Sequence, residues 1–451
     1  MSALWWSLPG PRRFASEVAG DLRDGSSVVV LAPEHLPDGL DRAVRRELGD
    51  NAFWTSLDLA DREVADREGW RGDDWGDRVD WDAEDGGHHR ETLPSLSTYP
   101  VSPAVSRRVH DDPLAALARR AIPIAGVRGC PDLATLAAHP GFAGRAVWVD
   151  GVAALAWPAW RDFLPEYTTI ALKRPILGRA VLCVVARGAA ACAPPSPRLG
   201  LSVRRWRGIV DPLDTLLYVS QILPARPISR LERRVSISVI ANVALWDAAL
   251  CDILAREDFT RLLAPGEVLE EMARARGWLA GLEEAVVDPS RTTPTPTHLP
   301  TPPPPLPDNA WGRGMADLYD DEVCWHPSAF PINRRVTEVR RRVWSGQVRE
   351  MLPLAEDRRR ALLDILGEAL TVPWEVYRRG VLVDVIQDRA ALELAHIDDQ
   401  VRLRRLLGED ASRAIGRLRG ARNDLAHMRP LSATTVRAIA RDDIVTLLDS
   451  M

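Results

Sequence analysis

The stretch "SSVVVLAP", residues 26–33, is a short, continuous apolar run that contains three consecutive valines. A strand buried on both faces of a parallel sheet has this pattern, whereas a strand with one solvated face alternates apolar and polar residues. Two further runs, "RAVWVDG" (145–151) and "RAVLCVVARG" (179–188), have the same character. The sequence therefore predicts a buried parallel sheet that contains these three strands.

Helical patterns flank the predicted strands. "RRFASEVAGDLRDG" (12–25) ends at Gly25, a residue type that often terminates helices, and "DGLDRAVRRELGD" (38–50) is amphipathic. "VAALAWPAWRDFL" (152–164) predicts another helix between two strands. Strands that alternate with helices imply right-handed crossover connections in a parallel sheet. We therefore predict an α/β domain over residues 1–205.

The rest of the chain divides at a proline-rich segment. Residues 206–287 read as a helical subdomain, whose longest apolar-periodic run is "VSISVIANVALWDAALCDILARE" (235–257). "DPSRTTPTPTHLPTPPPPLPDN" follows, and its prolines favour an extended polyproline conformation. Residues 288–310 are therefore a predicted semi-rigid linker, with a ligand for a proline-binding module as the alternative interpretation.

The C-terminal part, residues 311–451, is predicted to be an all-α domain. Val336, Val339 and Val343 have the spacing of an apolar helical stripe, and Ser432 is a predicted N-cap.

The stretch "YRRGVLVDVIQDRAALELAHIDDQVRLRRLLG", residues 377–408, is predicted to be helical for much of its length. Breaks or caps are expected at Gly380 and Gly408.

Composition excludes several classes of protein. A chain of 451 residues with 46% hydrophobic and 27% charged residues is typical of globular proteins. No apolar run reaches the roughly 18–20 residues that a bilayer span requires, and the N-terminus lacks a signal-peptide layout. Five cysteines without CxxC spacing favour reduced thiols and argue against a zinc site. We therefore expect a cytoplasmic protein without membrane contact.

The charge distribution bears on nucleic-acid binding. The net charge of −5 argues against a strong affinity of the whole surface for nucleic acid. Residues 311–451 contain 23 arginines and 22 acidic residues, so this part is the more compatible with RNA. Lys173 is the single lysine of the chain.

An acidic, glycine-rich stretch, "REGWRGDDWGDRVDWDAEDGGHHRE", separates two of the predicted strands. Its side chains could be imagined as metal ligands, but their spacing does not match a calcium-binding EF-hand loop. We therefore expect a solvated insertion and no metal site. The residues considered as ligands are Asp80, Asp82, Asp85, His88 and His89.

The strand "AVWVD", which ends at Asp150, resembles the Walker B strand of AAA+ or STAND-type P-loop NTPases. In that family the terminal acid holds Mg²⁺. The phosphate-binding pattern GxxxxGK[ST] is missing, since Lys173 lies in "IALKRPILG", and "LPGPRRF" and "LAPEHLPDG" contain prolines that lack N–H donors. Gly151 stands where that family usually has a catalytic glutamate. We therefore predict an NTPase-like domain that is inactive and binds no cofactor.

The stretch "RGARNDLAHMRP", residues 419–430, contains the candidate catalytic residues Arg422, Asn423 and His427. On a helix Asn423 and His427 are one turn apart on the same face, so the amide could orient the imidazole. Arg422 could bind a phosphate, and His427 could transfer a proton near neutral pH. The alternative is an ordinary surface helix that ends in a histidine, since the chain is rich in arginine.

The motif "RNDLAH" resembles the R-(polar)-x3-H motif of the HEPN superfamily, the helical domains of many prokaryotic toxins and antiviral ribonucleases. The resemblance covers the motif and its helical context in residues 311–451, and not the N-terminal part. It implies metal-independent RNA cleavage through attack of a 2′-hydroxyl on the adjacent phosphate. Arg422 would bind the phosphate, Asn423 would orient the histidine, and His427 would act as general acid/base. It also implies a homodimer through the C-terminal helical domain, or pairing with another HEPN domain.

Two other histidines are weaker candidates. His396 could form a polar site with Asp398 and Asp399, although such a histidine more often flanks a core stripe. His326, in "CWHPSAF" near the start of the C-terminal domain, is predicted to be structural. No second pair at ligand spacing accompanies Cys324 and His326, which argues against a zinc site.

Two hypotheses follow. The first is a prokaryotic defence or toxin-type protein in which an inactive NTPase-like sensor regulates a HEPN-like endoribonuclease that acts on RNA. The second is a non-catalytic adaptor that binds the other proteins of an antiviral system. A cationic groove beside His427 with exposed Arg417, Arg419 and Arg429 would favour the enzyme, and burial of His427 in an apolar interface would favour the adaptor.

Overall fold

The computed structural model of the protein describes residues 2–49, 54–59, 112–121, 132–278, 308–332 and 336–442. The acidic, glycine-rich stretch with the metal ligands considered above lies outside these residues. So does the proline-rich linker up to residue 307. The predicted domain boundaries at residues 205, 287 and 310 stay predictions.

The N-terminal part contains a parallel sheet, as predicted, and this sheet has five strands. The strand order is β2-β3-β4-β1-β5. The strands are β1 (Ser27–Ala32), β2 (Trp54–Asp58), β3 (Ala146–Asp150), β4 (Val181–Arg187) and β5 (Leu201–Arg205).

The three strands predicted from apolar runs are β1, β3 and β4, which occupy the middle of the sheet. All six residues of β1 are buried, with β4 on one side and β5 on the other. The two unpredicted strands, β2 and β5, are the edges of the sheet, and Leu201 is the only buried residue of β5. An edge strand needs fewer apolar residues, so these two lack the signal that identifies the central strands.

Two apolar cores lie on opposite faces of the sheet, because successive side chains of a strand point to opposite sides. Val28 and Val30 belong to one core, which also contains Phe14 from the helix before β1. Val29 and Leu31 belong to the other. The alternating helices and strands therefore form a layered α/β structure.

The helices of the described residues were mostly expected from the apolar periodicity. They are α1 (Ser2–Trp5), α2 (Pro9–Arg23), α3 (Leu40–Leu48), α4 (Pro113–Ala121), α5 (Leu133–Ala138), α6 (Trp157–Ala171), α7 (Pro212–Ile222), α8 (Arg230–Ala244), α9 (Ala248–Arg256), α10 (Phe259–Leu262), α11 (Gly266–Ala275), α12 (Asp308–Gly312), α13 (Ala329–Ile332), α14 (Val336–Leu366), α15 (Leu394–Arg404), α16 (Glu409–Ala426) and α17 (Ala433–Arg441).

The long helical run 235–257 is two helices rather than one. Helix α8 ends at Ala244, and the next residue, Leu245, has a left-handed φ of 55°. Asp247 then caps α9 by accepting a hydrogen bond from the Leu250 N–H. Aspartate at an N-cap is a strong start signal for a helix, and it decides the break here.

The C-terminal region is mostly helical, but the prediction of an all-α domain is wrong because the region also contains strands. Two hairpins lie in it: β6 (Ala316–Tyr319) with β7 (Glu322–Trp325), and β8 (Trp374–Arg378) with β9 (Val381–Ile386). The predicted helix over 377–408 therefore begins only at Leu394.

The second hairpin has a local cause. Arg379 and Gly380 both have positive φ, 52° and 79°, which is the geometry of the two-residue turn that matches the twist of antiparallel strands. The following "VLVDVI" is rich in β-branched residues, which favour a strand. Strand propensity and turn chemistry therefore outweigh the helical pattern.

Helix α14 packs along α8, and the first core extends through this interface to α16 and α17. Gly346 makes the close approach of the two helices possible. A Cβ atom at this position would lie 2.6 Å from the Val239 Cα and 2.9 Å from the Ser238 carbonyl oxygen. Backbone atoms cannot move aside as a flexible side chain can.

We expect Gly346→Ala to lower the free energy of unfolding by about 1–3 kcal/mol, since the added methyl group forces α8 and α14 apart. The matched control is Gly20→Ala in α2, where a Cβ would meet nothing within 4 Å. That change should raise the stability by about 0.5–1 kcal/mol, because alanine favours a helix. Urea unfolding measures both, and equal effects at the two positions would contradict the close packing at Gly346.

Candidate functional site

Helix α16 carries the three candidate catalytic residues at its C-terminal end. Arg422 and Asn423 are half-buried in its last turns, and His427 is exposed at the residue that caps the helix. The His427 N–H donates to the carbonyl oxygens of Asn423 (3.0 Å) and Asp424 (3.1 Å). The three polar side chains therefore lie on one helix end.

The end of α16 is a Schellman motif. The Arg429 N–H donates to the Asp424 carbonyl (2.9 Å), and the Met428 N–H donates to the Leu425 carbonyl (3.1 Å). Met428 has a φ of 58°, a conformation that favours glycine and strains other residues. A left-handed residue just after the helix is an ordinary part of this motif, and Arg405 after α15 has the same conformation.

Helix α14 fixes the end of α16 through two side chains that the sequence did not identify. The Trp344 indole N–H donates to the Leu425 carbonyl (2.7 Å), two residues before His427. The buried Gln347 amide accepts from the Leu431 N–H (2.6 Å) and donates to the Leu431 carbonyl (2.8 Å). Gln347 follows Val343 by four residues, so it lies on the same face of α14 as this apolar residue.

An ion pair restrains Arg422. Its guanidinium lies 3.4 Å from the carboxylate of Glu393, the residue that precedes α15, and both side chains are about half exposed. Within residues 336–442, no hydrogen bond joins the Asn423 amide to the His427 ring. The orienting contact expected for Asn423 is therefore not formed in this conformation.

The three arginines that were expected to form a cationic groove differ in their exposure and in their ion pairs. Arg429 is exposed, with Asp424 3.9 Å away. Arg417 is half-buried and paired with Asp442, the last residue described.

Arg419, the third of these arginines, is also half-buried. Its guanidinium donates to Asp398 (3.0 Å) and Asp399 (2.8 Å). The carboxylates that were considered as partners of His396 therefore bind arginine instead. His396 accepts a hydrogen bond from the Glu393 N–H (3.1 Å) and serves as part of a helix cap.

At the sheet, Asp150 is at the C-terminal end of β3, as the Walker B resemblance requires. Both of its carboxylate oxygens are bound by Arg187 at the end of β4, at 3.1 and 2.9 Å, and one also accepts from the Gly151 N–H (2.8 Å). Arg187 also donates to the Leu36 carbonyl (3.3 Å). A fork-to-fork arginine pair competes with a metal for this carboxylate.

The crevice at the carboxyl ends of β1 and β4 is where doubly wound sheets bind ligands. Here the Glu34 N–H donates to the Gly312 carbonyl (2.8 Å), so helix α12 lies against the loop that follows β1. Gly312 is so close to β4 that a Cβ would lie 2.8 Å from the Gly188 carbonyl oxygen. Residues 308–312, which overlap the end of the predicted linker, therefore lie against this end of the sheet.

The start of α2, in "LPGPRRF", also holds a carboxylate instead of a free anion site. The Gly10 N–H donates to the buried Asp214 carboxylate (3.1 Å), and a Cβ on Gly10 would lie 2.1 Å from the Ile209 carbonyl oxygen. Burial is the main cause that raises the pKa of Asp214. The Gly10 N–H at the start of α2 is thus occupied by a carboxyl group of the protein itself.

A buried charge cluster joins Asp247, Arg276 and His326. One Asp247 oxygen accepts from the Arg276 guanidinium (2.5 Å) and lies 2.8 Å from the His326 Nε2 atom. The His326 Nδ1 atom accepts from the Ser328 N–H (3.2 Å), so a neutral ring donates to Asp247. His326 therefore has contacts that hold the fold together.

The cluster contains strongly shifted pKa values. Burial opposes a charge on Asp247, yet the Arg276 guanidinium and the His326 hydrogen bond together hold the pKa of Asp247 well below its usual range. Burial is also the main cause that lowers the pKa of His326 to about 4. Since free histidine titrates near 6.5, stability from His326 is lost as the pH falls from about 6.5 to about 4.

Asp317 on β6 has the opposite pH dependence. Burial raises its pKa to about 7, although its carboxylate accepts from the Leu318 (2.8 Å) and Gly208 (3.1 Å) N–H groups. In the unfolded chain it titrates near 3.9, so the folded state loses stability as the pH rises from about 4 to about 7.

We expect Asp317→Asn to raise the melting temperature at pH 8 by several degrees and much less at pH 4.5. An asparagine oxygen can accept the same two N–H bonds without a buried charge. Thermal unfolding at the two pH values measures the difference, with the exposed Asp364→Asn as control. An equal effect of Asp317→Asn at both pH values would show that this carboxyl carries no buried charge.

Among the described residues, no group of three or more His, Cys, Asp or Glu side chains is arranged to hold a metal ion. In the same residues, no helix combines the length and the apolarity needed to cross a membrane.

No protein-family model, no curated protein and no solved structure matches this chain. The HEPN and NTPase resemblances rest on the residues and motifs quoted above.

Proposed function

We propose that the C-terminal helical region is a metal-independent endoribonuclease with Arg422, Asn423 and His427 as its catalytic residues. The observation that supports this most is the position of His427. It is exposed at the end of α16, and Arg422 and Asn423 beside it are only half-buried. A histidine with only a structural role, such as His326, is buried and hydrogen-bonded instead.

The proposed reaction needs only side-chain chemistry. The His427 imidazole accepts the proton of an RNA 2′-hydroxyl, whose oxygen attacks the adjacent phosphorus. The bond from phosphorus to the 5′ oxygen breaks, and that oxygen takes a proton. The products are a 2′,3′-cyclic phosphate and a 5′-hydroxyl. The Arg422 guanidinium stabilises the charge on the phosphate as it develops.

The reaction takes a proton from the 2′-hydroxyl and delivers a proton to the leaving 5′ oxygen. A single His427 side chain can carry only one proton at a time. A homodimer that brings two α16 ends together would supply one His427 as base and the other as acid. In that arrangement Arg422 leaves Glu393 and binds the phosphate. The 3.4 Å separation and half-exposed side chains of this ion pair make the exchange inexpensive.

The N-terminal α/β part is proposed to regulate the enzyme without hydrolysing a nucleotide. Asp150 is bound by Arg187, and α12 lies across the loop after β1. Because α12 follows the proline-rich stretch and leads to α14, a ligand that moved α12 would act on the helix that fixes α16. The HEPN resemblance suggests that such a protein acts in prokaryotic defence or as a toxin, together with partner proteins.

One observation favours the second hypothesis, a non-catalytic adaptor. Arg417 and Arg419, which were expected to be exposed beside His427, are paired with carboxylates and half-buried. The surface around the motif is therefore less cationic than the arginine content suggests. An adaptor would use the end of α16 to bind a protein.

The test is RNA cleavage by the purified full-length chain in EDTA, with Arg422→Ala as the variant. The proposal predicts cleavage by the wild type and a loss of about 10²–10³-fold in the variant, the usual effect of removing a group that stabilises transition-state charge. Absence of cleavage by the wild type, with an intact fold and a defined oligomeric state, would favour the adaptor.

A further inference from the structure

A second feature of α16 lies nearer the middle of the helix than the motif does. A cleft of about 360 Å³ opens between the start of α8, the middle of α14, α16 and the end of α17. Apolar side chains contribute to its lining, and so do four arginines. We call this the arginine cleft. Its arginines are Arg230, Arg234, Arg358 and Arg417, and its apolar residues include Leu231, Leu354, Leu418 and Ile439.

Three of the four arginines in the arginine cleft already make contacts of their own. Among the residues that the structure describes, Asp442, which pairs with Arg417, is the only acidic one in the lining. Arg234 is paired with Glu350 (2.8 Å), which lies outside the lining. Arg230 is exposed and makes no ion pair or hydrogen bond within the described part of the chain. Arg230 is therefore the arginine of the lining that can meet an anion without breaking a contact within the described residues.

The arginines are also held in a geometry that suits phosphate groups. Arg230 and Arg234 lie one turn apart on α8, and Arg417 comes from a different helix of the lining. Among the described residues the buried Nε atom of Arg417 has no hydrogen-bond partner, so the ion pair with Asp442 leaves part of the guanidinium unsatisfied there. The N-terminus of α8 borders the same cleft, but the capping box of Ser229 and Glu232 already occupies it.

The cleft and the proposed catalytic end are parts of one helix. Arg417 and His427 are ten residues apart, which is about 15 Å along α16. A short single strand of RNA can span this distance. The apolar side chains between the arginines offer a surface for a base, and the guanidinium groups offer bidentate contacts to phosphate oxygens.

We propose that the arginine cleft binds the phosphodiester backbone of the RNA strand that is cleaved at His427. This inference rests on the proposed ribonuclease function, and it identifies the site that holds the RNA strand during cleavage. A phosphate in the cleft competes with Asp442 for Arg417 and meets Arg230 without displacing a carboxylate. Binding in the cleft is independent of base sequence, because the contacts are to phosphates.

The experiment separates binding from cleavage. A fluorescent 2′-O-methyl single strand cannot be cleaved, so its affinity for the full-length chain is measured by anisotropy over a range of salt concentrations. The variants are Arg230→Ala and the double variant with Arg234→Ala, both at exposed positions. The matched control is Arg42→Ala, an exposed arginine on α3, which does not contribute to the cleft.

We expect the double variant to bind about tenfold more weakly at low salt. The slope of log affinity against log salt concentration should fall by about 0.7 for each phosphate charge that the variant no longer neutralises. Arg42→Ala should bind as the wild type does. His427→Ala should also bind the strand, although it does not cleave ordinary RNA, because His427 does not line the cleft.

Three results would overturn the inference. If the double variant binds the strand as tightly as the wild type, while cleavage of RNA still depends on His427, then the cleft assignment is wrong and the proposed function stands. If a free nucleoside triphosphate binds in an Arg230-dependent way and more tightly than the strand, the cleft holds a small nucleotide. If only an acidic peptide binds there, it is a protein-docking site. If the strand binds in a cleft-dependent way but the wild type cleaves no RNA, the proposed ribonuclease function is wrong. The protein would then be an RNA-binding protein.

Discussion

Replacing His427 by alanine should reduce EDTA-resistant RNA cleavage by roughly 10²–10⁴-fold, the contribution typical of a general acid or base. The imidazole is exposed, so the variant should retain the stability of the wild type. The loss should appear in kcat with little change in RNA affinity, because a proton is transferred only in the chemical step. Single-turnover cleavage of a defined oligonucleotide measures this directly.

His396→Ala is the control for this prediction. His396 lies in the same helical region, but it accepts a backbone hydrogen bond at the start of α15. The His396→Ala variant should cleave RNA within about twofold of the wild-type rate. It should be slightly less stable, because the helix cap is missing. Equal rates for His427→Ala and the wild type would contradict the assignment of His427. Loss of activity in His396→Ala alone would move the site to the start of α15.

The second large effect concerns stability. Asp247→Ala should lower the free energy of unfolding by about 3–5 kcal/mol, since it leaves the Arg276 guanidinium buried without its partner. The side chains of Asp247 and Arg276 are 8% and 9% exposed, so water cannot replace the missing carboxylate. His326 and the N-terminus of α9 lose a partner in the same step.

Asp258→Ala separates the buried charge from the helix cap. Asp258 caps α10 through two backbone N–H groups, as Asp247 caps α9, but Asp258 is exposed. Replacing Asp258 by alanine should lower the free energy of unfolding by about 1 kcal/mol, the usual value for a helix cap. Urea unfolding of both variants measures the difference. Similar losses would mean that the ion pair of Asp247 contributes nothing beyond a cap.

The central part of the sheet could be predicted because its strands are buried on both faces. "SSVVVLAP" has no polar alternation, and in the structure β1 lies between β4 and β5 with all its residues buried. The edge strand β5 has a single buried residue, and its arginines do not distinguish it from a loop. Burial therefore determines which strands a sequence reveals.

The hairpin of β8 and β9 shows a different limit. "VLVDVI" fits both a helix and a strand, and the choice depends on the turn at Arg379 and Gly380. The sequence around Gly380 predicts a break in a helix. The same sequence also fits a turn that leads into a strand, which is what the structure shows. The turn geometry, rather than the apolar pattern, decides between these structures.

The candidate catalytic residues could be located on a helix from the sequence, but their surroundings could not. The partners of Arg419 come from α15, and the partner of Arg417 lies beyond α17, more than twenty residues away. Ion pairs over such sequence distances depend on how the helices pack. For the same reason the sequence did not show that Asp150 is held by Arg187, or that four arginines from three helices form a cleft.

The central claim is that residues 422–427 cleave RNA through its own 2′-hydroxyl, and the chemical ends of the products test it most directly. A single-stranded oligoribonucleotide is incubated with the full-length chain in EDTA, and the fragments are identified by mass spectrometry. We predict a 2′,3′-cyclic phosphate on one fragment and a 5′-hydroxyl on the other, and no cleavage at a nucleotide that lacks its 2′-hydroxyl. Fragments with a 5′-phosphate, or an oligonucleotide left intact by the wild-type protein, would contradict the claim.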